Sequence, residues 1–541
     1  MKSEIQKAKI VWANHQIQSA KHVRNVVKEA RGKKQTCCFQ TLVEEHGSKE
    51  RLLQAIQAKL LNNFNWQEDE DLLHFEDEAW KPHFSVADIE RLLSRLDIKK
   101  STGSDGIPPR LLREGSPWLA FPVFRIFSTS IESRRFPSPW KLAHVTPISK
   151  CKNPSVGDFR PISLTPVLSK LLERVVLESV RFELIKLYGP DQHAFRTHGS
   201  TEGALVKVHD SITHFLDMPD VDAVRMTCLD LSKAFDRVLH NKLLNRLLIC
   251  CVNRGFLLWL KDFLANRTQR LKLDQVFGPV CSVPSGIPQG SILAPTLFAC
   301  FMGSLGTSEN SIVVLYADDV TLLEPIKKGI PANDLHSVQE WINVNKMTLN
   351  LDKSQQMIFY RRGNVDVQYP CIPVVRELKL LGVYWNDKLT WYNHVFRILK
   401  LASQRLYVIR VLKSILPREQ LIVVYHSLIS SIFLYASPLF VSLPQSLSYK
   451  IDKFQNRAHR VICGKNCKCS NFPPLDSVRL KRASTFFCKC EQFVCHPLHH
   501  LVPGRMDRSS HFRLPHMRST RRLQSFIPSM CIMMNNCMTS S

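Results

Sequence analysis

Apolar and polar positions recur along this chain in two rhythms, one near 3.6 and one near 2, and the switches between them outline its organisation. At 84–98, FSVADIERLLSRLDI keeps apolar residues at helical spacing, which predicts a helix with Ser85 as its N-cap. KKSTGSDGIPPRLL follows, and its Gly103, Gly106 and Pro108 mark a loop. Through the middle of the chain, helical runs such as PVLSKLLERVVLESVRFELIKLY alternate with short β-rich runs. VRMTCLDL and SIVVLYADDVTLL are dense in β-branched and apolar residues, as buried strands are. Strands brought together from distant places make an α+β plan. Residues 391–460 are almost wholly helical in pattern. Residues 461–541 are basic, carry several Cys and His, and show little periodicity near their end.

Composition narrows the class. The 541 residues are 44% hydrophobic, so the chain can bury a large core. The formal net charge of +26 calls for a partner, and nucleic acid is the usual one, because each neutralised phosphate releases a counterion. A ribosomal or membrane-peripheral protein shares that charge. Residues 1–84 read as a basic helical N-terminal extension or linker, interrupted by acidic residues at Glu68–Asp71 and Glu76–Glu78. Neither a signal peptide nor an apolar run of roughly 18 residues is present, so no membrane span is expected. The 17 cysteines are therefore read as reduced thiols inside a cell.

Two carboxylate sites carry the chemistry. LDLSKAFD places Asp230 at the end of an apolar strand, with Asp236 six residues on. YADD, between SIVVL and VTLL, reads as a tight hairpin presenting Asp318 and Asp319. Carboxylates beside apolar strands are costly unless a hard divalent cation compensates them. Alone, each motif also suits a solvated hairpin tip or plain packing. Between them, SGIPQGSILAPTLF brackets Pro288 and Gln289 with Gly286 and Gly290, so the backbone can approach a ligand before a helix begins near Ser291.

In this order the blocks resemble reverse transcriptases, closely those of non-LTR (LINE-type) retrotransposons. KKSTGSDGIPPRLL looks like the segment before the fingers; WKLAHVTPISK and DFRPISL look like fingers motifs; DQHAFRTHGST resembles the QxxFR block. LDLSKAFDRV, SGIPQGSILAPTLF and YADD look like the palm motifs, and LNLDKSQQM and LKLLGV like those closing the palm. The resemblance runs over roughly residues 85–400. It implies a right hand: fingers and palm at 85–390, with an antiparallel palm sheet, and a helical thumb at 391–460, followed by the basic Cys/His-containing tail at 461–541.

The resemblance also implies roles. Asp230, Asp318 and Asp319 would bind two Mg²⁺ ions, with Mn²⁺ as an alternative. Arg160 and Lys150 would hold the incoming triphosphate. Phe235 matches the aromatic gate that excludes a ribose 2′-hydroxyl; Gln289 and Gly290 would lie under the template–nucleotide pair; Lys353 would protonate pyrophosphate. Phe235 equally suits core packing, and Lys353 a surface lysine. Asp236 is read as structural, bonded to neighbouring backbone. The implied partners are an RNA template, a DNA primer or target DNA, and dNTPs. Arg397, Lys400, Arg405, Arg410 and Lys413 recur near helical spacing, as a phosphate-tracking thumb face or a solvated one would.

The resemblance thins at both ends. Too few residues precede it for the endonuclease that LINE-type proteins usually carry, so a piece of a longer element protein is expected. Cys463, Cys467, Cys469, Cys488, Cys490, Cys495, His496, His499 and His500 do not reproduce a regular four-ligand spacing, and buried thiols are expected there rather than zinc. No RNase H domain is expected after residue 400. Target-primed copying implies an intracellular, at least transiently nuclear, protein. A group II intron-type reverse transcriptase, or a remnant that binds nucleic acid without catalysis, are the competing readings.

Overall fold

The computed structural model describes residues 38–64, 71–151, 153–306, 310–327, 334–361, 371–464, 472–506, 511–514 and 517–539. The basic run from Lys2 to Lys34 lies outside the described residues, as do Glu68 to Glu70, Cys467 and Cys469.

A four-stranded antiparallel sheet holds the centre, in the order β7 (Ile312–Tyr316), β8 (Asp319–Lys327), β3 (Val221–Asp230), β9 (Gln355–Tyr360). Its strands alternate between two cores. Val224 and Met226 of β3, with Val314, Leu323, Met357 and Phe359, pack against helix Thr201–Asp217 and the helices after residue 390. Leu229, Val313, Leu315, Val320 and Leu322 face the other core, built from the helices of residues 86–302. Both faces are covered, so β3 buries apolar residues on both, interrupted by Asp222, Arg225 and Thr227. Its one buried cation, Arg225, lies opposite Glu324 of β8 and makes two hydrogen bonds to it, at 2.8 and 3.0 Å. Glu324 also accepts the Leu335 amide at 3.3 Å, so neither charge is stranded.

A second sheet runs β2 (Phe159–Leu164), β1 (Leu142–Ser149), β4 (Arg267–Leu273), β5 (Val276–Phe277), and β6 (Cys281–Val283) also pairs with β4. Helix Lys49–Leu61, capped by Ser48, buries Leu52, Leu53, Ile56 and Leu60 against Val145, Phe159 and Leu271 of this sheet. This part of the N-terminal region is packed into the body rather than standing free. Ser85 caps helix Val86–Ser94 in a full capping box with Asp88, as the pattern at 84–98 predicts.

Past the hairpin β10 (Glu377–Leu380) and β11 (Val383–Asn386), helices Tyr392–Leu412, Arg418–Tyr425 and Gln445–Cys463 pack together. Together with the two sheets they make an α+β fold with mainly antiparallel sheets. The end of the chain differs from its weak periodicity: Phe526–Thr539 is a helix. FIPSMCIMMNNCMT is apolar on most faces, so no 3.6-residue stripe stands out, yet Phe526, Ile527, Met530 and Cys531 are buried. Among the described residues, no helix is long and apolar enough to cross a membrane.

Candidate active site

The hairpin β7–β8 closes on Tyr316 opposite Asp319, leaving Ala317 and Asp318 as its turn. Ala317 is left-handed (φ 57°), a conformation that costs an L-residue about 1–2 kcal/mol unless surroundings impose it. They do so here. The buried Gln192 side chain accepts the Ala317 amide at 3.1 Å through Oε1, while the His193 amide donates to Leu315 O at 2.8 Å and the Leu315 amide to Asp191 O at 2.9 Å. The DQHAFR segment is thus laid along β7 and fixes the turn.

Asp230 ends β3 directly opposite Asp319, so a carboxylate from each of two neighbouring strands meets the one at the turn. The backbone of Asp230 is latched by the LNLDKS loop: its amide donates to Ser354 Oγ at 3.2 Å and its carbonyl accepts the Asn350 amide at 2.8 Å. Enclosure by protein and the charge of Asp230 push the Asp318 carboxyl up, against its own backbone N–H and the Arg160 guanidinium. Enclosure, then Asp318 and Asp230, push Asp319 to about 6. Both carboxyl tips remain exposed, so water screens part of this repulsion. Carboxylates that raise one another's pKa are the oxygen donors a hard divalent cation prefers. Among the described residues, no three His, Cys, Asp or Glu side chains converge closely enough to hold an ion unaided. The three aspartates are neighbours, then, without being gathered on one point.

Cations border them. Lys353 Nζ is 4.0 Å from Asp230 Oδ2. Arg160 is exposed on β2, opposite Ile148 of β1. The half-buried Lys233 is pushed down by burial and by the charges of the nearby Lys150 and Lys353. Lys233 itself is left-handed (φ 53°), between Asp230 and Phe235, and no local sequence pattern marks it.

In the SGIPQG loop the glycines also lie close against the protein's own backbone. A Cβ on Gly286 (φ 85°) would lie 2.7 Å from Asp236 O, and one on Gly290 (φ 123°) 2.5 Å from Ser163 O. The Ser163 amide donates to Gln289 O at 2.9 Å, tying the loop to β2. Gln289 Nε2 donates to Asp236 Oδ1 at 2.7 Å, so the buried Asp236 is engaged by a side chain rather than by neighbouring backbone. The helix starts at Ala294, three residues after Ser291, because Ser291 Oγ takes up the Leu293 and Ala294 amides at 3.1 and 3.3 Å. Phe235 is partly buried, its ring stacked on Phe298 at 4.1 Å.

The helices beyond residue 390 depart from a free basic face. Arg397 pairs with Glu377 at 3.2 Å and lies over the Tyr384 ring, Arg405 donates to Leu428 O, and Lys413 Nζ donates to Val461 O at 2.7 Å. Lys400 and Arg410 are exposed. In the tail, Cys490 is a buried free thiol 3.7 Å from His496 Nε2, and His499 Nδ1 contacts Cys490 O at 2.9 Å.

Residues 149–385 match the family model described as reverse transcriptase (RNA-dependent DNA polymerase). The RNA-directed DNA polymerase from mobile element jockey of Drosophila melanogaster is 27% identical over 412 residues, 70% of this chain and 44% of that protein. The probable RNA-directed DNA polymerase from transposon BS of the same fly is 25% identical over 408 residues, with the same 70% and 44% coverage. The chain thus spans under half the length of these curated relatives. A solved telomerase from Candida albicans, with a fragment of telomeric RNA, aligns over 89% of this chain and 88% of its own at 12% identity and a TM-score of 0.35, too loose a likeness to carry an argument.

Proposed function

We propose that this chain, whose residues 149–385 are a reverse transcriptase domain of the non-LTR retrotransposon kind, copies RNA into DNA by adding dNTPs to a primer 3′-hydroxyl. The observation that carries the reading is the placing of Asp230, Asp318 and Asp319 as neighbours at the ends of paired strands, with Lys353 beside Asp230 and Arg160 beside Asp318.

In this reading the three aspartates hold divalent cations, Mg²⁺ or Mn²⁺. When bound, a pair of such ions supplies activation of the attacking hydroxyl and neutralisation of the leaving pyrophosphate. The protein's own part is placement and charge. Arg160 meets phosphate oxygens with its planar fork, and Lys150 and Lys233 add point charges along the triphosphate. Lys353, beside Asp230, donates a proton to the departing pyrophosphate. Phe235, held flat on Phe298, closes the space a 2′-hydroxyl would need. Gln289 acts through Asp236, bracing the loop that carries the template–nucleotide pair. In this reading the partners are an RNA template and a DNA primer or target strand, and copying primed at chromosomal DNA would make the protein intracellular and at least transiently nuclear.

The test is extension of a DNA primer on RNA while Mg²⁺ is titrated against a chelator. Extension that appears with Mg²⁺ and prefers dNTPs over rNTPs supports the reading. Well-folded protein that binds the duplex but never extends it leaves a nucleic-acid-binding remnant instead.

A further inference from the structure

A cavity of about 240 Å³, lined by both polar and apolar side chains, opens beside helix Thr201–Asp217. Four distant segments form its wall. His209 comes from helix Thr201–Asp217, Lys388 and Trp391 from the turn after β11, and Ser442 from the stretch before helix Gln445–Cys463. Arg521 and Gln524 come from the C-terminal segment. That segment is anchored independently. Arg522 makes a buried ion pair with Asp210 at 2.6 Å and also donates to Thr213 Oγ1 at 3.2 Å, and the Arg518 amide donates to both Asp217 oxygens at 2.9 and 3.1 Å.

The anchoring leaves the neighbouring charges unspent. Asp210 is taken by Arg522, and none of the described residues lining the cavity is acidic. Arg521 is half-buried without a carboxylate, and Lys388 stands at the rim. His209 is buried to 7% exposure, its ring 5.6 Å from that of Trp391, and its Nδ1 has no hydrogen-bond partner. A buried polar atom is seldom left unmet unless something else meets it. Two cations and an imidazole nitrogen around a partly open space, with the Ser442 hydroxyl that also contacts Ser529 Oγ at 3.0 Å, suit a tetrahedral oxyanion. The volume falls below the roughly 300–1,000 Å³ of drug-sized sites, so the ligand is small.

We infer that this cavity binds a phosphate group, and that the bound phosphate ties the C-terminal segment to the base of the thumb and to the helix behind the palm. The phosphate comes either from a free phosphomonoester or from a nucleic-acid backbone. Neither source is required for polymerase chemistry, so this site stands or falls separately from the proposed function.

The experiment is hydrogen exchange on the full chain with inorganic phosphate, with AMP, or with a single-stranded DNA lacking terminal phosphates. Each is set against chloride at equal ionic strength. Saturable protection of peptides covering 386–392 and 517–524 is expected, weakened about tenfold or more in Arg521→Ala, whose lost guanidinium bond is charge-assisted. Lys388→Glu, at an exposed site, repeats the test should Arg521→Ala unfold. Protection by phosphate and AMP assigns a free ligand, and protection by DNA alone assigns the backbone as the source. No saturable protection in these peptides, or equal protection in both variants, overturns the site.

Discussion

Gln192 Oε1 accepts the amide of Ala317 at 3.1 Å, so a side chain 125 residues upstream holds the left-handed turn that presents Asp318. Gln192 is fully buried and also accepts the Ala194 amide at 3.0 Å. Gln192→Met keeps the length and removes the acceptor. Leaving a buried amide unmet costs about 1–3 kcal/mol, and misplacing the turn lowers kcat about tenfold or more, while template–primer affinity stays near that of the parent. Steady-state extension kinetics beside a filter-binding measurement separate the two. An unchanged kcat would mean that the turn needs no clamp.

Gly290 tests the loop beneath the site. Its φ of 123° and the 2.5 Å from a built Cβ to Ser163 O make Gly290→Ala strained and crowded together. Strain of this kind costs about 1–3 kcal/mol. The variant is expected to fold with a lowered melting temperature and to lose dNTP affinity, read as a raised KM for dNTP. A parent-like KM and melting temperature would contradict the tie to β2.

Glu173 gathers donors from two elements. Although fully buried, it accepts the Ser169 and Ser291 hydroxyls and the Ile292 and Leu293 amides. Glu173→Ala strands these groups and is expected to lower stability by about 3 kcal/mol in urea melts, with Glu173→Gln losing less. A loss under about 0.5 kcal/mol, the size of an ordinary surface change, would show that the network contributes little.

The raised carboxyls give a pH signature in metal-free protein. Asp318 and Asp319 hold their protons more tightly in the fold than in the open chain, Asp319 near a value of about 6. Their contribution to stability is therefore present below the ordinary carboxylate range and is lost as pH rises through about 6. Asp319→Asn should melt higher than the parent at pH 8 in chelator, and the gap should shrink toward pH 4. Exposure of the side chain keeps the effect modest. Added Mg²⁺ should raise the parent's melting temperature at pH 8 more than the variant's. A parent that melts higher than Asp319→Asn at pH 8 without metal reverses the sign and sinks the electrostatic account.

What could be read in advance follows from where the information sits. YADD and LDLSKAFD were legible because each is local: an apolar strand, then carboxylates at its end. The Ser85 cap was legible for the same reason. Gly286 and Gly290 declared an unusual backbone, but not its partner, since Asp236 and Ser163 come from other elements. Gln192, Glu173 and the Arg225–Glu324 pair carry no local pattern at all, because their meaning lies in long-range contacts. The basic rhythm of Arg397, Arg405 and Lys413 read as a phosphate-tracking or solvated face, while the fold uses all three for contacts within the chain. The helix Phe526–Thr539 stayed hidden because apolar residues on most faces erase the period that reveals a helix.

The most direct measurement is dNTP incorporation on an RNA template with a DNA primer and Mg²⁺, beside the Asp318→Ala, Asp319→Ala double variant. The account predicts template-directed extension by the parent and none by the variant, with both binding the primer–template alike. Extension retained by the variant would contradict the assignment of the site. No extension from folded, duplex-binding parent protein would contradict the polymerase itself.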